Sequence, residues 1–452
     1  LLAWFRQAGS GAWILWTPGG FYDASPGGER LAGWHVDRAD DGTDFYPLQR
    51  FRERYFRPDV IARVLVDADE GVALRRADAE ARSGAAPAAS ILAVLPPTVV
   101  ASAVASTLAP TQTHAELVVT ARTAADAPVT ALRARVNGQT VDVGPTLRGS
   151  AGGAFRIRVP VPPGVSSVHV FAVNRHGTSE PAAVRVERAG VAESRAPRLF
   201  VLAVGVTDYA DAGINDLPLA TKDAKDFVAV MDRQRGSIYS EVVVRRLLDG
   251  QATRAGILEG LAWLRSQVAP GDVGMLFLAG HGVNDEDGRY LYTPVDARLD
   301  RDRRLGDTGV SSIEIRAALE SLAGRAVAFV DTCHASNAVR DPRRRGAAHD
   351  RLVNEMSAAE SGVVVFAAGT GDQLSVEYPG WGNGAFTKAV VEGLRGRADF
   401  ARRGRVTHRQ LDRYVSARVV ELAASVRHRL TPVTLFPAGV VPDFTLAAVQ
   451  AP

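Results

Sequence analysis

The chain has 452 residues, 46% of them hydrophobic and 23% charged, enough for two or three soluble domains with a sizeable core. Its 53 basic and 50 acidic residues leave a net charge of +3, too even a balance to indicate a nucleic-acid partner. The single cysteine excludes an internal disulfide and gives no sign of an oxidising compartment.

Residues 1–65 are aromatic-rich and turn-rich, with strand-like pieces at Trp13–Trp16 and Leu31–Val36 between Pro-Gly and Gly-Gly turns, and read as a small β segment. The start carries neither the charged lead nor the small-residue cleavage site of a signal peptide. No run is long and apolar enough to span a bilayer. These features point to a cytoplasmic chain that uses no membrane. The missing initiating Met reads as a fragment or a processed form of something longer. Residues 66–92 turn Ala-, Arg- and Asp-rich and predict a helix, with Val72 and Leu74, followed by a linker.

Residues 93–190 alternate apolar and polar positions in "AELVVTART", "TALRARVNGQTV", "GAFRIRVPV" and "SSVHVFAVN", separated by Asn137-Gly138, "GSAGG" and "PPG". This pattern predicts a small Ig-like β-sandwich, a binding or scaffolding module. A linker, 188–198, follows.

From residue 199 to 450 the period changes. Apolar runs at 199–206, 242–248, 274–280, 326–332, 362–368 and 432–436 alternate with amphipathic stretches. One helix face carries Leu219, Phe227, Val228 and Met231, a second Ile257, Leu261, Leu264 and Val268, a third Leu411, Val415, Val419 and Leu422. Ser311 with Glu314, and Thr407 with Gln410, have capping-box spacing and mark two helix starts. Continuous apolar strands alternating with helices predict an α/β fold with a mostly parallel sheet covered on both faces.

In such sheets ligands bind beyond the carboxyl ends of the strands. Two strands run out in reactive residues there: "GMLFLAGHG" at His281-Gly282 and "AVAFVDTC" at Cys333, 52 residues apart. If they are neighbours, an imidazole can take and return the proton of a thiol nucleophile. Gly282 lets its N–H approach a substrate carbonyl, and with the Cys333 N–H it can form an oxyanion hole. Against this stand plainer readings: a lone Cys as a small core residue, Asp331 as a loop anchor, Asp223 as a solvated helix residue. His334 reads as structural, and His349, His408 and His428 as surface residues. HExxH, paired CxxC and GxSxG are all absent, so neither catalytic zinc nor a serine elbow is expected.

"LFLAGHG" and "AFVDTCHAS" resemble the His and Cys motifs of the caspase-like cysteine peptidases, and "DTCHAS" is most similar to the metacaspase and bacterial orthocaspase form. "VLAVGVTDY…LPLATKDAKDF" and "GNGAFTKAVVEGLRG" resemble further segments of that family, so the likeness covers about residues 199–440. It implies a six-stranded, mostly parallel sheet flanked by helices, His281 as general base and Cys333 as nucleophile. It also implies an acidic specificity pocket from Asp331 and Asp223, hence cleavage after Arg or Lys. Lys222 and the missing cysteine before it depart from the family pattern beside Asp223. Arg343, Arg344 and Arg345, in an Arg-rich stretch after the nucleophile, are candidate self-cleavage sites in an Arg-specific enzyme. No cofactor is expected; some metacaspases need calcium, but the acidic run 284–288 lacks EF-hand spacing. The partner expected is a peptide or protein substrate. The N-terminal segment resembles stretches that follow β-propeller repeats in bacterial caspase-like proteins, which implies a propeller before residue 1. Two alternatives stay open: the same fold with Asp specificity, and a non-catalytic, partner-binding scaffold.

Overall fold

A computed structural model describes residues 2–8, 11–37, 43–80, 91–144, 152–190, 195–285, 290–300, 305–334, 356, 361–369, 373, 377–437 and 439–449. It divides into two units, Leu1–Glu193 and Ser194–Pro452. Among the described residues no helix is long and apolar enough to cross a membrane.

The first unit opens with an antiparallel meander, Ala3–Arg6, Trp13–Trp16 and Tyr22–Ala24. A hairpin of Gly33–Asp37 with Thr43–Pro47 follows. Within residues 1–65, read from the sequence as a small β segment, Pro58–Asp67 is an α-helix. Pro58 sits in its first turn, where no N–H is missed, and Val60, Ile61 and Val64 are buried. A second helix, Glu70–Glu80, buries Ala73 and Ala77. Beyond them, Thr98–Ala103, His114–Arg122 and Gly152–Pro160 form one antiparallel sheet. Ala131–Val136, Gln139–Val141, Gly164–Asn174 and Ala182–Arg188 form a second. Asn137 and Gly138, both at positive φ (52° and 83°), make the two-residue turn between Ala131–Val136 and Gln139–Val141. Alternate residues such as Leu117, Val119, Val168 and Val170 fill the common core.

Elements of the second unit are numbered in chain order: β1 (Arg198–Gly205), α1 (Ala220–Asp232), β2 (Glu241–Leu248), α2 (Arg254–Gln267), β3 (Val273–Asn284), β4 (Tyr290–Tyr292), β5 (Val310–Ser311), α3 (Ser312–Glu320), β6 (Arg325–His334), β7 (Val363–Ala367), β8 (Glu377–Tyr378), β9 (Asn383–Gly384), α4 (Ala385–Glu392), β10 (Arg405–Thr407), α5 (His408–Ser425), β11 (Val433–Leu435) and β12 (Thr445–Ala448). The central sheet runs β2-β1-β3-β6-β7-β11, parallel throughout except for β11. Period two sends Met275, Phe277, Val327 and Phe329 into one layer, under α1, α4 and α5. Leu276, Leu278, Ala328 and Val330 go into the other, under α2 and α3. That double burial is why the strands read as unbroken apolar runs. Both capping boxes form, Ser311 with Glu314 and Thr407 with Gln410. His408 is corrected from a surface residue to a fully buried one, packed between Phe436 and Phe444.

Phe329 is fully buried, stacked on Phe366 with centroids 4.9 Å apart and 4.9 Å from Phe227. Phe329→Ala is expected to cost about 3–5 kcal/mol in urea unfolding. A loss under about 1 kcal/mol would mean the aromatic stack does not hold this layer together.

Candidate active site

β3 outruns its neighbour β1. β1 ends at Gly205, whereas β3 continues through His281 to Asn284 and there pairs on one side with β4. On its other side the parallel ladder with β6 carries on, and sets His281 directly opposite Cys333 and Gly282 opposite His334. Residues opposite one another in a parallel pair share a face of the sheet. The register alone thus puts the two chemistry-bearing residues side by side at its carboxyl edge.

His281 is buried, with its imidazole beside the Tyr209 ring. Its Nε2 lies 2.7 Å from the Asn215 carbonyl oxygen. A carbonyl only accepts, so Nε2 carries the hydrogen and Nδ1 keeps its lone pair. That Nδ1 is buried and has no hydrogen-bond partner among the described residues. Burial lowers the imidazole pKa below its usual value, and the Asn215 carbonyl and Asp216 only partly offset this. The shift favours the neutral ring, the form that can accept a proton.

The glycines around it make room for tyrosines. A Cβ on Gly282 would lie 2.4 Å from Cε2 of the buried Tyr290. Tyr290 in turn donates to Thr332 Oγ1 at 2.9 Å. Gly280 has φ +152°, and a Cβ there would lie 2.9 Å from the Tyr292 hydroxyl.

Beside the histidine lies a narrow cleft, walled by Leu217, Ala220 and Gly280 and lined by three carboxylates, Asp223, Asp331 and Glu377. Asp223, in the first turn of α1, is 2% exposed, which rules out a solvated helix position. It accepts from Asn383 Nδ2 at 2.8 Å and from the Gly384 N–H at 3.2 Å. Asp331 accepts from Thr387 Oγ1 at 2.5 Å and from the Thr387 N–H at 3.3 Å. A Cβ on Gly384 would meet Oδ2 of both aspartates at 3.2 Å, so glycine is what lets both carboxylates come this close to the backbone. The hairpin of β8 and β9 sets Glu377 opposite Gly384 and so delivers the third carboxylate.

Burial first, and then the neighbouring Asp331, push Asp223 up to about 8 and Glu377 up to about 7. Lys222 does not neutralise them. It pairs with Asp226, which takes the other Asn383 amide proton at 2.8 Å. Among the described residues no ion pair joins Asp223 or Glu377 to a cation. The sequence reading found Asp223 and Asp331 but missed Glu377, Asn215, Asn383 and Thr387. Asn215 acts through a main-chain carbonyl that any residue carries, and no spacing singles out Glu377. Arg343, Arg344, Arg345 and His349 lie outside the described residues, as does most of the 284–288 run. Among the described residues no group of three or more His, Cys, Asp or Glu side chains could hold a metal ion.

The sheet order and the strand-end pair define a caspase-like α/β fold. A family model described as the caspase domain matches residues 198–432, just over half of the chain, and the chain belongs to that family, whose members are cysteine peptidases. No curated protein matches the chain. Among solved structures it is similar to protein GSU0716 from Geobacter sulfurreducens, at 18% identity over 56% of this chain and 95% of that one, TM-score 0.37. It is also similar to caspase-1 from Spodoptera frugiperda, at 10% identity over 53% and 87%, TM-score 0.36. A third likeness, to fibronectin(III)-like modules of Clostridium thermocellum CbhA, has 17% identity over 23% and 52%, TM-score 0.17.

Proposed function

We propose that the chain is a metacaspase- or orthocaspase-like cysteine endopeptidase that cleaves peptide bonds after Arg or Lys. The observation that carries this reading is the three-carboxylate pocket next to the in-register pair of His281 and Cys333. His281 Nδ1 takes the Cys333 proton, and the thiolate sulfur attacks the scissile carbonyl carbon. The N–H groups of Gly282 and Cys333 stabilise the oxyanion. As the tetrahedral intermediate collapses, the C–N bond breaks and the leaving amine receives the proton from His281, leaving a thioester on Cys333. Water, giving a proton to the same imidazole, hydrolyses the thioester and frees the thiol. The substrate's guanidinium or ammonium sits among Asp223, Asp331 and Glu377, with Arg favoured by bidentate pairing. The chemistry needs no cofactor, and the partner is a protein or peptide.

The test is a cleavage profile on fluorogenic peptides with Arg, Lys or Asp before the bond, with and without calcium. Turnover confined to Arg and Lys is expected. Turnover after Asp would overturn the pocket's role. Silence toward every peptide, together with no labelling of Cys333 by a peptidyl-Arg chloromethylketone, would favour a non-catalytic scaffold.

A further inference from the structure

The peptide groups on either side of Gly280 leave the regular ladder. The last bond from the β1 side is Val206 N–H to the Ala279 carbonyl, at 3.2 Å. β1 has ended, so the N–H of His281 has no strand partner there. The hydroxyl of Tyr209 accepts it instead, at 2.9 Å. Tyr292 donates its hydroxyl to the Ala279 carbonyl at 2.9 Å. Two phenols thus stand in for the missing strand on the two sides of one glycine.

Tyr209 does more than fill a ladder position. Its ring lies against the imidazole, with centroids 5.1 Å apart and planes 31° from parallel. Its own N–H donates to Asp216 Oδ1 at 3.1 Å. That bond closes the loop whose Asn215 carbonyl holds Nε2. A second closure, Leu217 N–H to the Thr207 carbonyl at 2.9 Å, ties the ends of the same loop. One residue therefore touches the histidine through its main chain and its ring, and through Asp216 it sets the carbonyl that fixes the tautomer. We propose that Tyr209 is the positioning residue of the catalytic histidine, a role that rests on the Cys333–His281 reading above. An imidazole displaced by an ångström misses the proton it must take, and such displacements cost about 100-fold in rate.

The groups facing the imidazole are Tyr209, the Asn215 carbonyl and Asp216 on the loop, and the Cys333 position on β6. Removing the Tyr209 ring lets water reach an imidazole whose affinity for protons burial now depresses, so that affinity should rise.

Two variants separate positioning from mere packing. Tyr209→Phe keeps the ring and removes the acceptor for the His281 N–H. It is expected to lower kcat on a peptidyl-Arg substrate about 10-fold with KM unchanged, the pattern of an interaction that matters in the transition state. Tyr209→Leu removes the ring as well. It should lower kcat about 100-fold and move the acid limb of kcat, which reports the base in the substrate complex, to higher pH. A purely structural role would lower the unfolding midpoint and leave that limb in place. Wild-type kcat and an unmoved limb in both folded variants would overturn the proposal. Tyr209→Phe, which preserves volume, keeps the test decisive should Tyr209→Leu not fold. Failure of the underlying reading looks different, because the wild type itself would then turn over no peptide, and the proposal would fall with it.

Discussion

Cys333→Ala is expected to abolish peptide turnover, and His281→Ala to lower kcat by about 10²–10⁴-fold, with KM for a peptidyl-Arg substrate within a few-fold of wild type. The split between kcat and KM follows from the layout. The histidine lies in β3, three residues before its end, whereas the carboxylates that would hold the substrate cation stand on α1, β6 and β8, on partners of their own. His281→Ala removes a buried imidazole and its Nε2 bond to the Asn215 carbonyl, so some folding stability goes with it. A collapsed kcat in a variant still folded at the assay temperature would therefore identify a chemical role. The chain's one cysteine adds a second readout. Without the imidazole, its reaction with iodoacetamide should follow an ordinary thiol, with a midpoint near about 8.5. Retention of kcat within about 10-fold in His281→Ala would sink the dyad, because a general base contributes at least about 100-fold.

What could be read from the sequence was whatever leaves a periodic or local signature. β1, β3, β6 and β7 are buried on both faces and so spell out apolar runs. Ser311 with Glu314 and Thr407 with Gln410 are bonds between residues three apart, which spacing reveals. His281 and Cys333 mark strand ends, and a parallel sheet gathers strand ends into one place. What could not be read depends on partners distant in sequence. Glu377 joins Asp223 and Asp331 only because the β8–β9 hairpin folds back over α1 and β6. Gly282 carries no sign of Tyr290, which packs against it from an antiparallel strand of three residues. His408 reads as a polar helix start, yet Phe436 and Phe444 arrive from the C-terminal end to enclose it. Pro58–Asp67 is hidden in an aromatic stretch because its core face of Val60, Ile61 and Val64 spans little more than one turn.

The pocket yields the second large effect, one with a definite pH signature. Asp223→Asn is expected to lower kcat/KM for a peptidyl-Arg substrate about 100-fold, as removal of one member of a buried charge pair does. Glu377→Gln should have a smaller effect of the same kind. With Asp223 pushed up to about 8 and Glu377 up to about 7, the empty pocket holds protons at neutral pH. A bound guanidinium stays charged throughout this range and favours the ionised carboxylates, so binding must release protons. KM for Arg peptides should therefore fall as pH rises from about 6 to about 9. An uncharged citrulline peptide should not share that dependence, whereas a limb belonging to the thiol would appear with both. Glu377→Gln and Asp223→Asn should each shrink the fall. The same raised values reverse the usual link between activity and stability. A carboxyl that is harder to ionise in the folded state than in the unfolded one stabilises the fold below its unfolded pKa, and that contribution is lost as pH rises through the folded value. Asp223→Asn, whose amide oxygen can still accept from Asn383 and Gly384, should thus resist urea better than wild type near pH 8 while cleaving less. A variant that loses activity while gaining stability cannot be explained by misfolding. A KM with the same pH dependence for Arg and citrulline peptides would show instead that Asp223 and Glu377 do not face the substrate's charge.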